Sequence, residues 1–543
     1  MKLNCITSFL LPVLLFGFVV SLAAQDRDIS YMSSGGHLKP LQAIMDIRHY
    51  TVALDVDIPN KSISGYTEID FILSQPTDTI LLDLAHLYTV KNIWVDKKPQ
   101  KFYQEKDLIY ITGTAGFKPG RQKIKIAYSG IPPVAVNPPW KGGFSWKEDS
   151  KGNPWVIINC QMEGAKVYFP CKDHPSDEPN EGADLIITAP KDLTVAGPGL
   201  LQSTRTKNDK KTWHWKTSYT ISNYCILFNI GKYALVSKPY TTINGNKVPM
   251  DFYVLEEDKA NGEKILEMRE RDTRILEKYF GEYPWAKEKI GIAQTPNYGM
   301  EHQTMITYGD WKTRFVYQKI GSEDYSANLF HEYTHEWFAN KVSNKDWAHM
   351  WIQEGITTYG EALFCREAAG ERGYDSMMVM IKNGIRNKKP VVQAAEVNTV
   401  DTYTGDLYTK GAFFMHMLRS VLGDSIFFPT LKKLATDSNY TYNHFVTTDD
   451  VEQLFSKQSG QDLKPLFDLY LKTVNLLEVN IRQTGYNEYA IQVPNLPIPL
   501  PMDIITSAGT QHLTIKEKTF KLSSSTAPVI DAKGNYLKHI TTD

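Results

Sequence analysis

The chain has 543 residues, and its 60 basic and 61 acidic side chains leave it almost neutral. A chain of this length is too long for one hydrophobic core and predicts roughly three or four domains. The balanced charge argues against nucleic acid or another polyanion as a partner.

Residues 1–24 have the pattern of a signal peptide. Lys2 precedes a largely apolar run over residues 6–22, and small residues lie just before Gln25. This order predicts cleavage near Gln25 and export as a periplasmic or secreted protein. The alternative is an uncleaved signal anchor, which requires about 20 apolar residues. Residues 25–40 are expected to form a loose leader, and no later segment is apolar enough to span a membrane.

Residues 41–240 have the pattern of an N-terminal β domain. Short alternating runs, such as residues 50–56 and 79–84, are separated by clusters of Gly, Pro, Asn and Lys. Alternation with a period of two is typical of half-buried strands, so we expect a β-rich domain here.

The cysteines exclude one class of protein. Four of them follow the signal segment, at positions 160, 171, 225 and 365. Four cysteines are too few for a small disulfide-stabilised scaffold in a chain of this length. Cys160 and Cys171 could form a disulfide in an oxidising compartment or remain buried thiols, and their spacing does not decide between the two.

Residues 241–477 are predicted to form a second domain, because the apolar period changes there to that of helices. Between Ile265 and Tyr279 the apolar residues recur at mixed spacings of three and four, and residues 289–293 read as a strand. Residues 478–543 return to short alternating runs with several prolines and should form a small C-terminal β domain. The chain is therefore predicted to be an α+β multidomain protein.

The segment His331-Glu332-Tyr333-Thr334-His335 has a metal-binding pattern. Two histidines four positions apart on a helix lie on one face, so both imidazoles can bind one ion. After eighteen intervening residues, Glu354 would be a third ligand and leave one position open, as in catalytic zinc sites. Glu332 can take a proton from water on that ion, since zinc lowers the pKa of bound water to about 7. The pattern predicts a hydrolase with one zinc ion; the alternative is an exposed helix with solvated histidines.

A second motif lies upstream and points to a family. Tyr298-Gly299-Met300-Glu301-His302 resembles the GxMEN signature of the membrane alanyl aminopeptidase family, the gluzincins that include aminopeptidase N and the leukotriene hydrolase type. Segments 46–50, 170–175, 351–355 and 408–412 also resemble landmarks of that family. The resemblance implies a zinc aminopeptidase with a thermolysin-like catalytic domain and a β-sandwich-like C-terminal domain. It also implies a short form of the family, without the C-terminal helical domain of many relatives.

The motif around Glu301 explains how such an enzyme would select a free N-terminus. A carboxylate near the zinc can bind the α-ammonium of a peptide, so that only the first peptide carbonyl reaches the metal. By resemblance, Gly299 and Met300 of the same motif contact the substrate. Gln161 falls where the family has a second amine-binding Glu or Gln; Glu163 is the alternative if the alignment shifts by two.

Two tyrosines complete the expected site by resemblance. Tyr408 matches the tyrosine that the family directs at the reacting carbonyl oxygen, where a phenol would stabilise the oxyanion. Tyr403 matches another active-site tyrosine that contacts the substrate. His302 departs from the family because it replaces the Asn of the signature, so contacts at the substrate edge do not carry over from relatives.

We predict a metallo-aminopeptidase that acts on peptides with a free N-terminus. One alternative is a zinc endopeptidase, which would share the zinc motif but would have no need of Glu301 and Gln161 around an amine. The other is a non-catalytic peptide-binding relative, which is disfavoured because Glu332, Tyr408 and the metal ligands are all intact. The residue types do not predict which first residue is preferred.

Overall fold

The structure, a computed structural model, describes Ile29, residues 31–309 and residues 318–542. The expected signal peptide of residues 1–24 lies outside this part of the chain. None of the described helices combines the length and apolar character needed to cross a bilayer. An N-terminal β part, a helix-rich central part and a C-terminal β part follow each other along the chain, in agreement with the predicted α+β architecture.

The N-terminal part begins with the short helix α1 (Pro40–Ala43) and continues as strands. They are β1 (Met45–Asp57), β2 (Ser62–Leu73), β3 (Thr77–Asp83), β4 (Tyr88–Val95), β5 (Lys98–Pro99), β6 (Lys101–Glu105), β7 (Leu108–Phe117), β8 (Gly120–Gly130), β9 (Gly143–Glu148), β10 (Pro154–Asn159), β11 (Ala183–Pro190), β12 (Thr194–Ala196), β13 (Leu200–Lys207), β14 (Lys210–Thr217) and β15 (Asn229–Gly231). An eight-stranded sheet has the order β13-β14-β11-β1-β2-β8-β4-β5, beside the smaller sheets β12-β15-β10-β9 and β3-β7-β6. Strand β1 contains the predicted run 50–56, and its alternate side chains are buried.

The central part combines a four-stranded mixed sheet with most of the helices. Its four-stranded sheet consists of β16 (Tyr233–Thr241), β17 (Lys247–Leu255), β18 (Ile290–Gln294) and β19 (Ile306–Tyr308), and a separate two-stranded sheet consists of β20 (Gln318–Ile320) and β21 (Glu323–Tyr325). Its helices are α2 (Lys259–Phe280), α3 (Ala327–Thr334), α4 (Trp351–Gly384), α5 (Thr399–Thr402), α6 (Gly405–Leu422), α7 (Asp424–Thr436), α8 (Thr448–Ser459) and α9 (Lys464–Leu471). In the sheet, β16 runs antiparallel to β17, whereas β17, β18 and β19 are parallel.

The first domain boundary differs from the predicted one. We expected the N-terminal domain to extend to residue 240, but β16 pairs along its whole length with β17 of the central sheet. The change from one sheet to the next therefore precedes residue 233. Alternation in β16 correctly predicts a strand, but alternation carries no information about which sheet a strand joins.

The C-terminal part forms two small sheets. Its strands are β22 (Leu477–Gly485), β23 (Glu488–Gln492), β24 (Leu500–Thr506), β25 (Gly509–Ile515), β26 (Thr519–Ser523), β27 (Val529–Ile530) and β28 (Lys538–Thr542). The sheet orders are β26-β23-β22-β28 and β25-β24-β27. This part is tied to the central helices by Lys382 Nζ of α4, which donates to the carbonyl oxygen of Gly534 at 2.8 Å.

The described part of the leader is ordered, in contrast to the loose segment expected over residues 25–40. Met32 and Ser34 are buried. The backbone N–H of Ser34 donates to Met162 O at 2.8 Å, and Ser34 O accepts from the N–H of Thr399 at 3.1 Å. Ser and Gly are common in loose segments, but here backbone hydrogen bonds to both the N-terminal and the central parts hold the leader in place.

The described cysteines are all free and buried, at positions 160, 171, 225 and 365. The alternative left open for Cys160 and Cys171 is therefore resolved in favour of two thiols. Burial raises the pKa of both thiols well above its ordinary value. Protonated, buried thiols are chemically inert, so these residues act as small core side chains.

Helices α4 and α6 cross at a pair of glycines. A Cβ added to Gly355 would lie 2.7 Å from Gly411 Cα, and one added to Gly411 would lie 2.9 Å from Gly355 Cα. No side chain fits at this crossing, so the two backbones are in direct contact. Glu354 precedes one glycine and Tyr408 lies three residues before the other, so the crossing brings these two side chains into one region.

Substitution of Gly411 by Ala tests this constraint. We expect Gly411→Ala to lower the free energy of unfolding by about 1–3 kcal/mol, because the added methyl group overpacks the helix crossing. The matched control is Gly405→Ala in the first turn of α6, where an added Cβ meets no atom within 4 Å. The control should change stability by less than about 0.5 kcal/mol in urea unfolding followed by fluorescence. Equal stability of the two variants would show that the crossing tolerates a side chain.

Candidate metal centre and substrate cavity

Three candidate metal ligands converge from two helices. His331 lies in α3, His335 caps its C-terminal end, and Glu354 lies in the first turn of α4. Glu354 Oε2 is 3.3 Å from His331 Nε2 and 3.4 Å from His335 Nε2. One ligand atom from each residue lies within 4.8 Å of the others. Two imidazole nitrogens and one carboxylate oxygen are the ligand set of a catalytic zinc site with one open position.

Hydrogen bonds orient both imidazoles toward Glu354. His331 Nδ1 lies 3.0 Å from Glu361 Oε1, and His335 Nδ1 lies 2.9 Å from the carbonyl oxygen of Phe338. The Nε2 atom of each ring is thereby left for the metal, and such outer partners are typical of histidine ligands. Glu361 was not predicted, although it lies seven residues after Glu354 and therefore on the same face of α4.

The metal site has the charge balance that a cation requires. Burial alone would raise the pKa of Glu354, but the imidazoles of His335 and His331 outweigh it and hold that pKa at about 2. Glu301 and Glu332 approach the same region and form a second possible ligand group with His335. Among the described residues that line the cavity there is no lysine or arginine. A divalent cation fits this excess of buried carboxylates.

Glu332 is held beside the ligand histidines. Its Oε1 accepts a hydrogen bond from Asn328 Nδ2 at 2.8 Å, and Asn328 Oδ1 accepts one from the N–H of Gly299. A Cβ on Gly299 would lie only 2.8 Å from Glu332 Cγ, so glycine allows the loop to pass close to this carboxylate. Burial raises the pKa of Glu332 to about 7, although both histidines oppose the shift.

Glu301 is buried and is bound by two donors from the N-terminal part. Gln161 Nε2 donates to Glu301 Oε1 at 2.6 Å, and the Tyr224 hydroxyl donates to the same oxygen at 2.8 Å. Burial raises the pKa of Glu301. Gln161, the residue predicted by resemblance, is thus adjacent to Glu301, whereas the alternative Glu163 accepts from the N–H of Gly142. Tyr224 was not predicted, and no sequence motif marks it.

The two predicted tyrosines contact each other and the metal site. The hydroxyl oxygens of Tyr403 and Tyr408 are 2.5 Å apart. The ring of Tyr408 stacks on His331 with a centroid distance of 5.7 Å. Burial raises the pKa of Tyr408 well above its ordinary value, so this phenol remains protonated and can donate a hydrogen bond.

The predicted site residues other than His302 line one cavity of about 440 Å³. They are Gln161, Gly299, Met300, Glu301, His331, Glu332, His335, Glu354, Tyr403 and Tyr408. The N-terminal and central parts both contribute to its lining, so the cavity lies between them. His302 is absent from the lining and is fully buried, and burial lowers its pKa to about 3. His302, which replaces the Asn of the GxMEN pattern, therefore packs as a neutral side chain outside the cavity lining.

Comparison with protein-family models identifies both large parts of the chain. The peptidase M1 N-terminal domain matches residues 47–225, and the peptidase family M1 domain matches residues 265–470. The second match contains His331, His335 and Glu354 of the candidate metal site, and Tyr408. The first contains Gln161.

Among curated proteins, aminopeptidase M1-D of Oryza sativa subsp. japonica is 23% identical over 81% of this chain and 51% of its own length. The mitochondrial aminopeptidase 2 of Saccharomyces cerevisiae is 22% identical over 80% of this chain and 47% of its own length. The chain thus spans about half the length of these relatives.

Solved structures share the fold. The M1 zinc metallopeptidase of Deinococcus radiodurans has 21% sequence identity and a TM-score of 0.67, over 82% of this chain and 95% of that one. A mutant of that protein bound to a Tyr-Ser-Ala substrate has the same TM-score at 22% identity, over 82% of this chain and 96% of that one. The similarity in fold extends over both large parts of this chain.

Glu361 provides a test of the metal site that does not depend on catalysis. We expect Glu361→Gln to weaken divalent metal binding by about tenfold to a hundredfold, because His331 loses the carboxylate that orients its ring. The control Glu367→Gln lies on the same helix but pairs with Lys278 outside the cavity. Competition with a chelator gives both affinities. Equal affinities for the two variants would mean that Glu361 does not support the metal site.

Proposed function

The chain belongs to peptidase family M1, and on this premise we propose that it is a zinc-dependent aminopeptidase that removes residues from the free N-terminus of peptides. One observation carries the proposal. The three-ligand site and the buried Glu301–Gln161 pair line the same cavity, although they come from different parts of the fold. A metalloprotease without exopeptidase specificity has no need of a second buried carboxylate so close to its metal.

Within the family we propose the membrane alanyl aminopeptidase type. The GxMEN-like segment 298–302 and the spacing of the zinc ligands support this assignment. The mixed sheet β16-β17-β18-β19 followed by helices α3 and α4 supports a thermolysin-like catalytic domain. The two sheets after residue 476 support a C-terminal domain of the β-sandwich type.

His331, His335 and Glu354 would hold one zinc ion. Zinc in such a site supplies Lewis-acid chemistry, because it polarises a carbonyl oxygen and lowers the pKa of water. The ligand set fits zinc, since both nitrogens and the carboxylate oxygen are ligand types that this metal prefers. The same oxygen-and-nitrogen set is less suited to calcium or magnesium, which prefer oxygen ligands alone.

Glu301 and Gln161 would anchor the substrate ammonium. An ammonium group carries three N–H donors and no acceptor. The carboxylate of Glu301 and the side-chain carbonyl oxygen of Gln161 can accept two of them in charge-assisted hydrogen bonds. Gln161 and Tyr224 already fix the Glu301 carboxylate through its Oε1 atom, so the anchor is preorganised. The fixed amine places the first peptide carbonyl, and no later one, at the reacting position.

Glu332 and Tyr408 would carry the proton transfer and stabilise the transition state. Glu332 accepts a proton from the attacking water and then delivers it to the leaving amine, as general base and general acid. The Tyr408 hydroxyl donates a hydrogen bond to the carbonyl oxygen as negative charge develops on it. Tyr403 orients that hydroxyl through the 2.5 Å contact between the two phenols.

Blocking the substrate amine tests the exopeptidase proposal. We expect a free apolar hexapeptide to lose single residues from its N-terminus, whereas its N-acetylated form should remain intact, because an amide cannot bind Glu301 as a cation. Mass spectrometry of the products distinguishes the two. Cleavage of both peptides at the same internal bond would favour the endopeptidase alternative.

The control variants for this experiment separate chemistry from metal binding. Glu332→Gln should lower the rate by about a hundredfold to ten-thousandfold, the contribution of a positioned general base. Its zinc content by mass spectrometry should equal that of the unmodified protein. The matched variant Glu267→Gln, on the exposed face of α2, should retain full activity. Full activity of Glu332→Gln would contradict the proposed mechanism.

We also propose that the protein is exported. In residues 1–24 a charged residue is followed by an apolar run and then by small residues, and this order supports a cleaved signal peptide. Mass spectrometry of the protein isolated from the periplasm or medium should find a mature N-terminus near Gln25. A full-length chain that retains Met1 in the cytoplasmic fraction would contradict export.

A further inference from the structure

The position of the first substrate residue follows from the proposed function, on which this inference rests. Glu301 and Gln161 bind the amine, and Tyr408 lies at the carbonyl of the same residue. The side chain of that residue leaves the α-carbon between these two points. It must therefore contact the part of the lining that joins the Glu301 loop to Tyr408.

A row of three aromatic side chains makes this connection. Tyr298 lies in the Glu301 loop and packs against Trp140, with ring centroids 5.6 Å apart and an interplanar angle of 56°. Trp140 and Tyr403 line the same cavity, and the Tyr403 hydroxyl contacts that of Tyr408. We call Tyr298, Trp140 and Tyr403 the aromatic row. It runs from the amine anchor to the phenol at the carbonyl.

Three further apolar side chains lie in the same lining, those of Pro139, Met162 and Met300. Each of the four carboxylates in the described lining already has a role: Glu354 and Glu361 contact the imidazoles, Glu332 is the proposed general base, and Glu301 is the proposed amine anchor. No carboxylate of the described lining is therefore left to pair with a lysine or arginine side chain of the substrate beside the aromatic row.

The backbone around Trp140 is constrained although the side chain is partly exposed. It belongs to a tight turn in which the N–H of Lys141 donates to Asn137 O at 2.9 Å and the N–H of Asn137 donates to Lys141 O at 3.2 Å. Trp140 and Tyr298 nevertheless expose 42% and 39% of their surface. Fixed aromatic side chains with free surface bind apolar groups at a low cost in conformational entropy.

We propose that Trp140 and Tyr298 determine specificity by binding the side chain of the first substrate residue, and that the preferred peptides begin with a large apolar or aromatic residue. Trp140 comes from the N-terminal part and Tyr298 from the central part, so the pocket forms across the junction of the two. Tyr298 occupies the first position of the GxMEN-like segment, where the signature has glycine. The expected preference for large apolar residues therefore depends on a side chain that the family signature does not contain.

A panel of aminoacyl p-nitroanilides tests the proposal with the full-length zinc-loaded protein. We expect kcat/KM for Phe and Leu substrates to exceed that for Ala and Arg substrates by about tenfold or more, since differences of this size arise from filling an apolar pocket. Trp140→Ala and Tyr298→Ala should each remove about tenfold of this advantage, mostly through KM, because the lost contact exists before the transition state.

Three comparisons make the test specific to the pocket. The loss of kcat/KM in both alanine variants should be several-fold larger for the Phe and Leu substrates than for the Ala substrate, since a methyl group barely reaches the aromatic row. Trp140→Phe should recover most of the preference for Phe and Leu. Tyr486→Ala removes an aromatic residue that is 92% exposed outside the cavity and should change nothing.

The outcomes separate this inference from the proposed function. Preference for Arg or Ala, or an equal loss on all four substrates in Trp140→Ala, would overturn the inference while aminopeptidase activity stands. An unchanged preference in both alanine variants would also overturn it. Absence of hydrolysis of any free aminoacyl substrate by the zinc-loaded protein would instead overturn the proposed function, and the inference with it.

Discussion

The whole site depends on burying several carboxylates side by side. An isolated buried carboxylate is costly, and it is retained only when cations or hydrogen-bond donors compensate it. Here each acid has its own partners: two imidazoles contact Glu354, the ring of His331 contacts Glu361, and an amide and a phenol hold Glu301. These partners come from different elements of the fold. The tertiary structure is therefore what makes the concentration of negative charge possible.

Glu336 connects the end of helix α3 to the loop that carries Glu301, although it does not line the cavity. It is buried, and burial raises its pKa to about 7. It accepts hydrogen bonds from the N–H of Thr304, Trp285 Nε1 and Asn340 Nδ2. Asn340 also donates to the backbone oxygen of Glu301 at 2.8 Å. The loop with Glu301 and the end of α3 thus form one unit, and the distance between Glu301 and the candidate metal ligands is set by residues outside the cavity lining.

How much of the site the sequence predicts depends on how far apart in the chain the interacting residues lie. Helical spacing alone places His331 and His335 together, so the sequence predicts them directly. Gln161 comes from another part of the chain and was found only through resemblance to a family. Glu361 lies at a helical spacing that could have identified it, but acids on helices are common and its partner is known only from the fold. The sheet that β16 joins and the order of the leader depend on long-range hydrogen bonds, which local composition does not encode.

The ordered leader has a consequence for how the two sides of the cavity are held together. Ser34 is bound on one side to Met162, next to Gln161, and on the other to Thr399, four residues before Tyr403. Ser34 and Thr399 are separated by 365 residues in the chain. A contact between residues so distant in sequence closes a large loop, which costs conformational entropy. The leader therefore acts as a tie between the two walls of the cavity, although it lies before both of them in the sequence.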